Sequence, residues 1–476
     1  MPGDMRTPTR SADQIDIDAL KTSAQIQQLG EPSPAALPER DLDKILVARR
    51  AATDGALQLD LLGDGQALVV TRELLLPPSH GRDDAHAELT RRTFRRISPV
   101  ADDTTDEPDP CAVLHDQVWR YSYDDGTLDE ARSEVERALT DFGPDATRHG
   151  MNVLHIVVKS ADGPARTSVT IDPFTEEEAA LTRADDAIVV AVIDTGIGEA
   201  ERLDGWLNEV ERDLAARTNI DELDVFPHPT KLDFGAGHGT FAAGIIRQVE
   251  PQAKIVVYRA LDSDGLGTEY DVACAMIRAA NDKVHVISLS VGMEAVGGVV
   301  PPALQTAVDH IQSLADPPAI VASAGNNGNE EKVYPAAFPG VVSVAALLGV
   351  KPASSGQEPA GAEWSTHGSW VTCSAVGEGI ISTFVKGDED VFADADGDLA
   401  EEPDYSECDS YPQDAWAVWS GTSFAAPQIA ALIAKACRED RLTPQAAVGA
   451  LFAGLTMPTD GYGHRKVSLE GTPRTT

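Results

Sequence analysis

Basic residues are scarce in this chain of 476 residues: Lys and Arg together number 38 against 77 Asp and Glu, a formal charge of −39. That balance excludes nucleic acid and anionic membrane as default partners and suits a basic or neutral one, although solubility is its weightier meaning. Long apolar runs are missing as well. The opening MPGDMRTPTRSADQIDIDAL has no apolar core of the length a secretory signal needs, the final VSLEGTPRTT is polar, and no uninterrupted run is long enough to span a bilayer. The five cysteines, Cys111, Cys274, Cys373, Cys408 and Cys437, are odd in number, scattered, and free of CxxC or metal-ligand spacing. The expectation is a cytoplasmic protein with reduced thiols and no membrane partner.

What is present is the composition of a folded chain, 42% hydrophobic and 24% charged, without a long biased tract or an internal repeat. The length predicts one large domain with a smaller appendage. Residues 1–40 are polar and read as a flexible arm. Residues 41–175 read as a small α+β region: the alternating runs 66-QALVVTREL and 152-NVLHIVVKS predict strands. Between them, 128-LDEARSEVERALTDFG predicts a helix with early acids and Gly143 as its stop, and 101-ADDTTDEPDPC predicts an exposed loop.

After 172-DPFTEEEAALTRADD the texture changes to short, wholly apolar runs, 187-AIVVAVID, 254-KIVVYRAL, 284-VHVISLS, 319-AIVASAG and 341-VVSVAAL. Helical patterns lie between them at 269-EYDVACAMIRAAND and 301-PPALQTAVDHIQSLA. Strands of this kind are buried on both faces, so residues 186–470 predict an α/β domain with a mostly parallel central sheet and a site at the strands' carboxyl ends. The acidic 386-KGDEDVFADADGDLAEEPDYSECDSYPQD predicts a surface loop; its DADGD core lacks the spacing of a calcium-binding EF-hand loop.

Three segments carry chemistry. Asp194 ends the run 187-AIVVAVID, a place where a carboxylate meets a partner or caps the next turn. His238 lies between Gly237 and Gly239 in 235-GAGHGTFAAGII, where the glycines allow a close approach to the ring. Ser423, in 420-SGTSFAAPQIAALIAKA, opens a strongly apolar helix, either as an N-cap or as a hydroxyl exposed beside helix amides that favour negative charge.

Together, in the order Asp, His, Ser, these segments resemble the signature motifs of the subtilisin family of serine proteases, over roughly residues 186 to 460. The resemblance implies a three-layer subtilisin-like fold and peptide hydrolysis through an acyl-enzyme. Ser423 would be the nucleophile, His238 the base and Asp194 its orienting acid, and Asn326 in 319-AIVASAGNNG would donate to the oxyanion; a simple turn role is the alternative for Asn326. It also implies that Ser290, Val291 and Gly292 form one edge of a substrate groove, that Ser323, Ala324 and Gly325 form the opposite wall, and that Val333 lies at the pocket's base and favours small or medium side chains. No cofactor is required, structural calcium has no assigned ligands, and the partner is a polypeptide. Gln428 stands where many relatives carry histidine. Insertions near 199–219 and 386–414 sit at the expected cleft rim and point to a selective processing enzyme, such as one that removes a leader peptide. Broad degradation and a non-catalytic peptide-binding role are the alternatives, and residues 41–175 are either a propeptide or a retained domain. A sedolisin-type site would use a glutamate base, and a lipase would need a GxSxG elbow, which Gly-Thr-Ser423-Phe-Ala does not supply.

Overall fold

The protein is described here from a computed structural model covering residues 59–62, 67–78, 82–97, 109–153, 165–166, 173–213, 232–349, 359–388, 410–453 and 460–469, apart from single positions at 185, 200, 234, 264 and 467. The expected arm, the DADGD stretch, Cys408, and most of the 101–111 loop and of the 152–160 run lie outside these residues.

The N-terminal region is built from β1 (Leu59–Leu62), β2 (Ala67–Leu76), α1 (Arg82–Arg91), β3 (Arg95–Ile97), α2 (Ala112–Gln117), β4 (Trp119–Ser122), α3 (Leu128–Phe142) and β5 (Thr147–Val153). Helix α3 begins where Thr127 and Glu130 close a capping box and ends at Gly143 with φ 54°. It turns Val135 and Ala138 onto Leu74, Leu76 and Tyr121 of an antiparallel sheet, which Ala85 and Leu89 of α1 also cover. The helix agrees with the sequence expectation, but β5 starts five residues earlier than the apolar run. Its first residues are polar and are paired internally: Arg148 pairs with Glu136, and His149 Nδ1 lies 2.7 Å from Glu73, which also holds Arg120 at 2.6 Å. Burial works against the Glu73 charge, yet His149 and Arg120 draw its carboxyl down to about 2.

The C-terminal region contains β6 (Ala165–Arg166), α4 (Glu176–Thr182), β7 (Val189–Asp194), β8 (Glu211–Arg212), α5 (His238–Val249), β9 (Lys254–Arg259), β10 (Leu266–Thr268), α6 (Glu269–Asn281), β11 (Val286–Leu289), β12 (Met293–Glu294) and α7 (Pro302–Gln312). It continues with β13 (Ala319–Ser323), β14 (Val333–Tyr334), β15 (Val342–Leu347), β16 (Cys373–Val376), β17 (Ile380–Thr383), β18 (Gly387–Asp388), β19 (Ser410–Tyr411), β20 (Trp416–Trp419), α8 (Thr422–Asp440), α9 (Pro444–Phe452) and β21 (His464–Arg465). Eight strands in the order β21-β16-β15-β13-β11-β7-β9-β8 pair in parallel throughout. All five apolar runs of the sequence are strands of this sheet. Alternate residues of β7 explain why: Ala191 and Ile193 pack into one core with α6 and α7, Val190 and Val192 into another with α8. Helices on both faces make the fold three layers deep.

The two regions are not independent. Strand β5 also pairs antiparallel with β10, Met151 opposite Thr268, Asn152 opposite Gly267 and Val153 opposite Leu266. Val69, Leu75, Leu114 and Val118 share a core with residues of α6 and α7. Cys111 and Cys274 form a disulfide across the same boundary, with Cα atoms 5.5 Å apart. The expectation of reduced thiols therefore fails for this pair. Spacing along the chain could not reveal a bond between cysteines 163 residues apart. Cys373 and Cys437 are free and buried.

Candidate active site

Parallel β-sheets present polar groups where their strands end, because the chain leaves the apolar layers there. Asp194 is the last residue of β7, and His238 the first of α5. His238 Nδ1 donates to Asp194 Oδ1 at 2.8 Å, both side chains fully buried. The same oxygen accepts the Thr195 amide at 2.8 Å, and Thr195 Oγ1 in turn accepts the Gly239 amide at 3.0 Å, which locks the start of α5 to the end of β7. With Nδ1 committed to a carboxylate, the imidazole is held with its basic lone pair on Nε2, and among the described residues that atom has no hydrogen-bond partner. The ring is boxed by Trp419, edge-on at 5.5 Å, and by Phe424 at 5.2 Å.

The glycines flanking His238 serve packing rather than open space around the ring. Gly237, at φ 84°, lies against the ring of Phe384, and Gly239 lies against the Gly196 carbonyl; a Cβ at either position would collide.

Ser423 stands in the first turn of α8, among the amides a helix leaves unpaired, so it faces the positive end of the helix dipole. It is not the N-cap, which is Gly421 and makes no side-chain cap bond. The Ser423 hydroxyl donates to the Ser290 carbonyl at 3.2 Å, and the Ser290 hydroxyl donates to the Ser423 carbonyl at 2.8 Å. In this resting arrangement the nucleophile candidate is clasped to Ser290 rather than to His238. Asn326 follows β13 and reaches across to the start of α8. Its Oδ1 accepts the amide and the hydroxyl of Thr422, at 2.9 and 2.8 Å, which fixes the opposite face of the carboxamide as the donor side.

The remaining predicted positions gather around the same point. Val291 and Ala324 send their side chains into the core and offer only backbone to a substrate. Val333 is fully buried between Gly292 and Gly325, its methyl groups against the first and 2.9 Å from where a Cβ on the second would lie, so it plugs the space between them. Asn327 ties one wall to the other by donating to Glu294 at 2.6 Å. Gln428 packs behind the nucleophile segment: it donates to the Val376 and Phe424 carbonyls at 2.7 and 2.8 Å and accepts from Ser468 at 2.9 Å.

Sequence reasoning missed Thr422, although it stands inside the quoted 420-SGTS, and missed β10, since three residues carry no periodicity. It also missed that the two rim insertions meet. Gln413 donates to the Glu201 carbonyl, the Leu203 amide to Asp414, and buried Arg202 to the carbonyls of Phe384 and Ala415. Among the described residues no three His, Cys, Asp or Glu side chains gather as a metal cluster, and no helix is long and apolar enough to cross a membrane.

Comparison with known proteins places this geometry. The thermophilic serine proteinase of Bacillus sp. (strain AK1) is 29% identical over 262 residues, 55% of this chain and 55% of that protein, so the chain spans about half the length of that relative. Thermitase of Thermoactinomyces vulgaris is 30% identical over 251 residues, 51% of this chain and 71% of that protein. The crystal structure of fervidolysin from Fervidobacterium pennivorans, a keratinolytic enzyme related to subtilisin, superposes with a TM-score of 0.52 at 20% identity, over 86% of this chain and 61% of that one, a likeness of fold. The model of the subtilase family, Peptidase_S8, matches residues 185–453, which contain Asp194, His238, Asn326 and Ser423, and the chain belongs to that family.

Proposed function

We propose that the protein is a serine endopeptidase in which Ser423 attacks a peptide carbonyl while His238 takes its proton through Nε2 and returns it to the leaving amine. The observation that carries this is the buried Asp194–His238 pair with an unpartnered Nε2 beside the helix start that holds Ser423. Asp194 keeps the imidazole in the required tautomer and stabilises its cation. The carbonyl oxygen of the tetrahedral intermediate meets the Ser423 amide and the Asn326 carboxamide, and water then hydrolyses the acyl-enzyme. A substrate backbone that engages the Ser290 carbonyl frees the Ser423 hydroxyl to turn toward His238. No cofactor enters these steps.

The substrate is an extended polypeptide, and β5 shows how one would lie. It runs antiparallel to β10 with Gly150 against Met293 and Val296, and advances from Thr268 toward Leu266. The chain around Leu266 adjoins residues 260–262, whose first two amides bond the Asp194 carbonyl at 2.9 and 3.2 Å. Each strand residue advances about 3.3 Å, so this strand heads for the catalytic residues as a bound substrate would. We therefore read the N-terminal region as an inhibitory propeptide docked in its own groove. The two insertions, joined to each other beside Phe384, are the feature that supports selective processing over general degradation.

A fluorophosphonate probe tests the activity. Wild type, after loss of its N-terminal region, takes up one label and Ser423→Ala none; labelling of both, or of neither, overturns the assignment. Processing selectivity is tested by offering unrelated denatured proteins, and their general breakdown would refute it.

A further inference from the structure

We propose that the Cys111–Cys274 disulfide keeps the N-terminal domain bound after the chain between the domains is cut, so that the enzyme stays inhibited until a dithiol reductant opens the bridge. This rests on the propeptide reading above and goes beyond it. Every peptide bond between Val153 and Pro173 lies between the two cysteines in sequence, so a cut anywhere in that stretch leaves two chains joined by one bond.

The position of the bridge makes it effective. Cys111 is the N-cap residue of α2, and Cys274 lies in the middle of α6, the helix whose first residue, Glu269, accepts the Gly150 amide of β5 at 3.1 Å. The covalent and non-covalent attachments thus sit on one helix, five residues or about 7.5 Å apart. Neighbouring contacts fix the same face: Asn281 donates to the Pro110 carbonyl at 3.1 Å, and His115 stacks on Tyr270 at 5.5 Å. A short tether holds an inhibitor at an effective concentration on the order of mM, so even a domain of ~μM affinity would leave only about one groove in 10³ open.

Opening the bridge is a balanced exchange. A thiolate of the reductant attacks one sulfur, with Cys274 the more accessible because it is only partly buried, and a mixed disulfide forms. The reductant's second thiol then closes on the first. Cys111 and Cys274 leave as thiols, having gained two electrons and two protons, and the reductant leaves as a disulfide. Such a bridge forms where thiols are oxidised, so the enzyme is stored locked there.

The test uses full-length wild type left to process itself, with Ser423→Ala as the uncut control. The expected result is two chains on a reducing gel and one band without reductant, with three of the five cysteines alkylated in the denatured unreduced protein and all five after reduction. Peptidase activity stays low on dilution and rises about 10²–10³-fold with a dithiol. Cys111→Ser and Cys274→Ser should instead release the N-terminal domain on dilution alone; if they fail to fold, the wild-type measurements still decide. Processed wild type that separates without reductant, five alkylated cysteines before reduction, or equal activity with and without dithiol overturns the tether. A chain that labels with fluorophosphonate but is never cut overturns the propeptide reading, and the tether with it, while leaving the protease intact.

Discussion

Asn326 and Thr422 form a two-point clasp, the carboxamide oxygen accepting both the Thr422 amide and its hydroxyl, and this clasp decides which face of Asn326 can donate. Replacing Asn326 with Leu should lower kcat by about 10²–10³ with little change in KM, the magnitude found for the equivalent donor in subtilisin. Thr422→Val keeps the shape and loses one of the two points, so its fall in kcat should be smaller, about tenfold. Steady-state kinetics on a peptide substrate separate the two. An equal rise in KM for both variants would instead mean that they hold the substrate in its ground state.

Glu269 gives the docked state a pH dependence. Burial pushes its carboxyl up to about 8, against the pull of amide hydrogen bonds from Gly150 and Ala303. Its proton is held more tightly in this folded, docked state than in the unfolded chain, so the stability it contributes is fully present below about 4.5 and declines as pH climbs to about 8, and the part of that burial supplied by Gly150 is lost when the N-terminal domain leaves. For the reduced, processed enzyme, inhibition by the N-terminal domain should be weaker at alkaline pH than at acid pH. Glu269→Gln, which keeps an acceptor and cannot ionise, should flatten that dependence. Inhibition constants measured across this range in both proteins check it.

Val333 fills the space between Gly292 and Gly325, where the proposed pocket for the side chain before the scissile bond would lie. Val333→Gly removes both methyl groups from between Gly292 and Gly325 and should raise kcat/KM for substrates with a large side chain before the scissile bond by about tenfold or more relative to alanine. A matched pair of peptides differing only at that residue is the measurement, and an unchanged ratio would place the pocket elsewhere.

Gln428 is a structural device rather than a chemical one. Gln428→Ala abandons the Val376 carbonyl in one direction and Ser468 and the Leu469 amide in the other, and should cost about 1–3 kcal/mol for each buried group left unsatisfied. Denaturant unfolding of the uncut Ser423→Ala background, with and without the change, would show it as a lower midpoint at an unchanged slope.

The large parallel sheet was legible in the sequence because strands buried on both faces are written as continuous apolar runs, and helices α3, α6 and α7 because their caps and periodicity are local. Asp194, His238 and Ser423 were only suggestive one by one, as residues at the junction of an apolar run with glycine or a helix start; their order and their resemblance to the subtilisin-family motifs singled them out as candidates. Tertiary structure alone decided what those residues touch. The resting clasp of Ser423 on Ser290, the plug of Val333, the meeting of Arg202 with Phe384 and Ala415, and the bond between Cys111 and Cys274 all join segments far apart in the chain. Such contacts depend on how the layers stack and leave no periodic trace, so composition and spacing specify the scaffold, while packing between distant segments sets the lock placed on it.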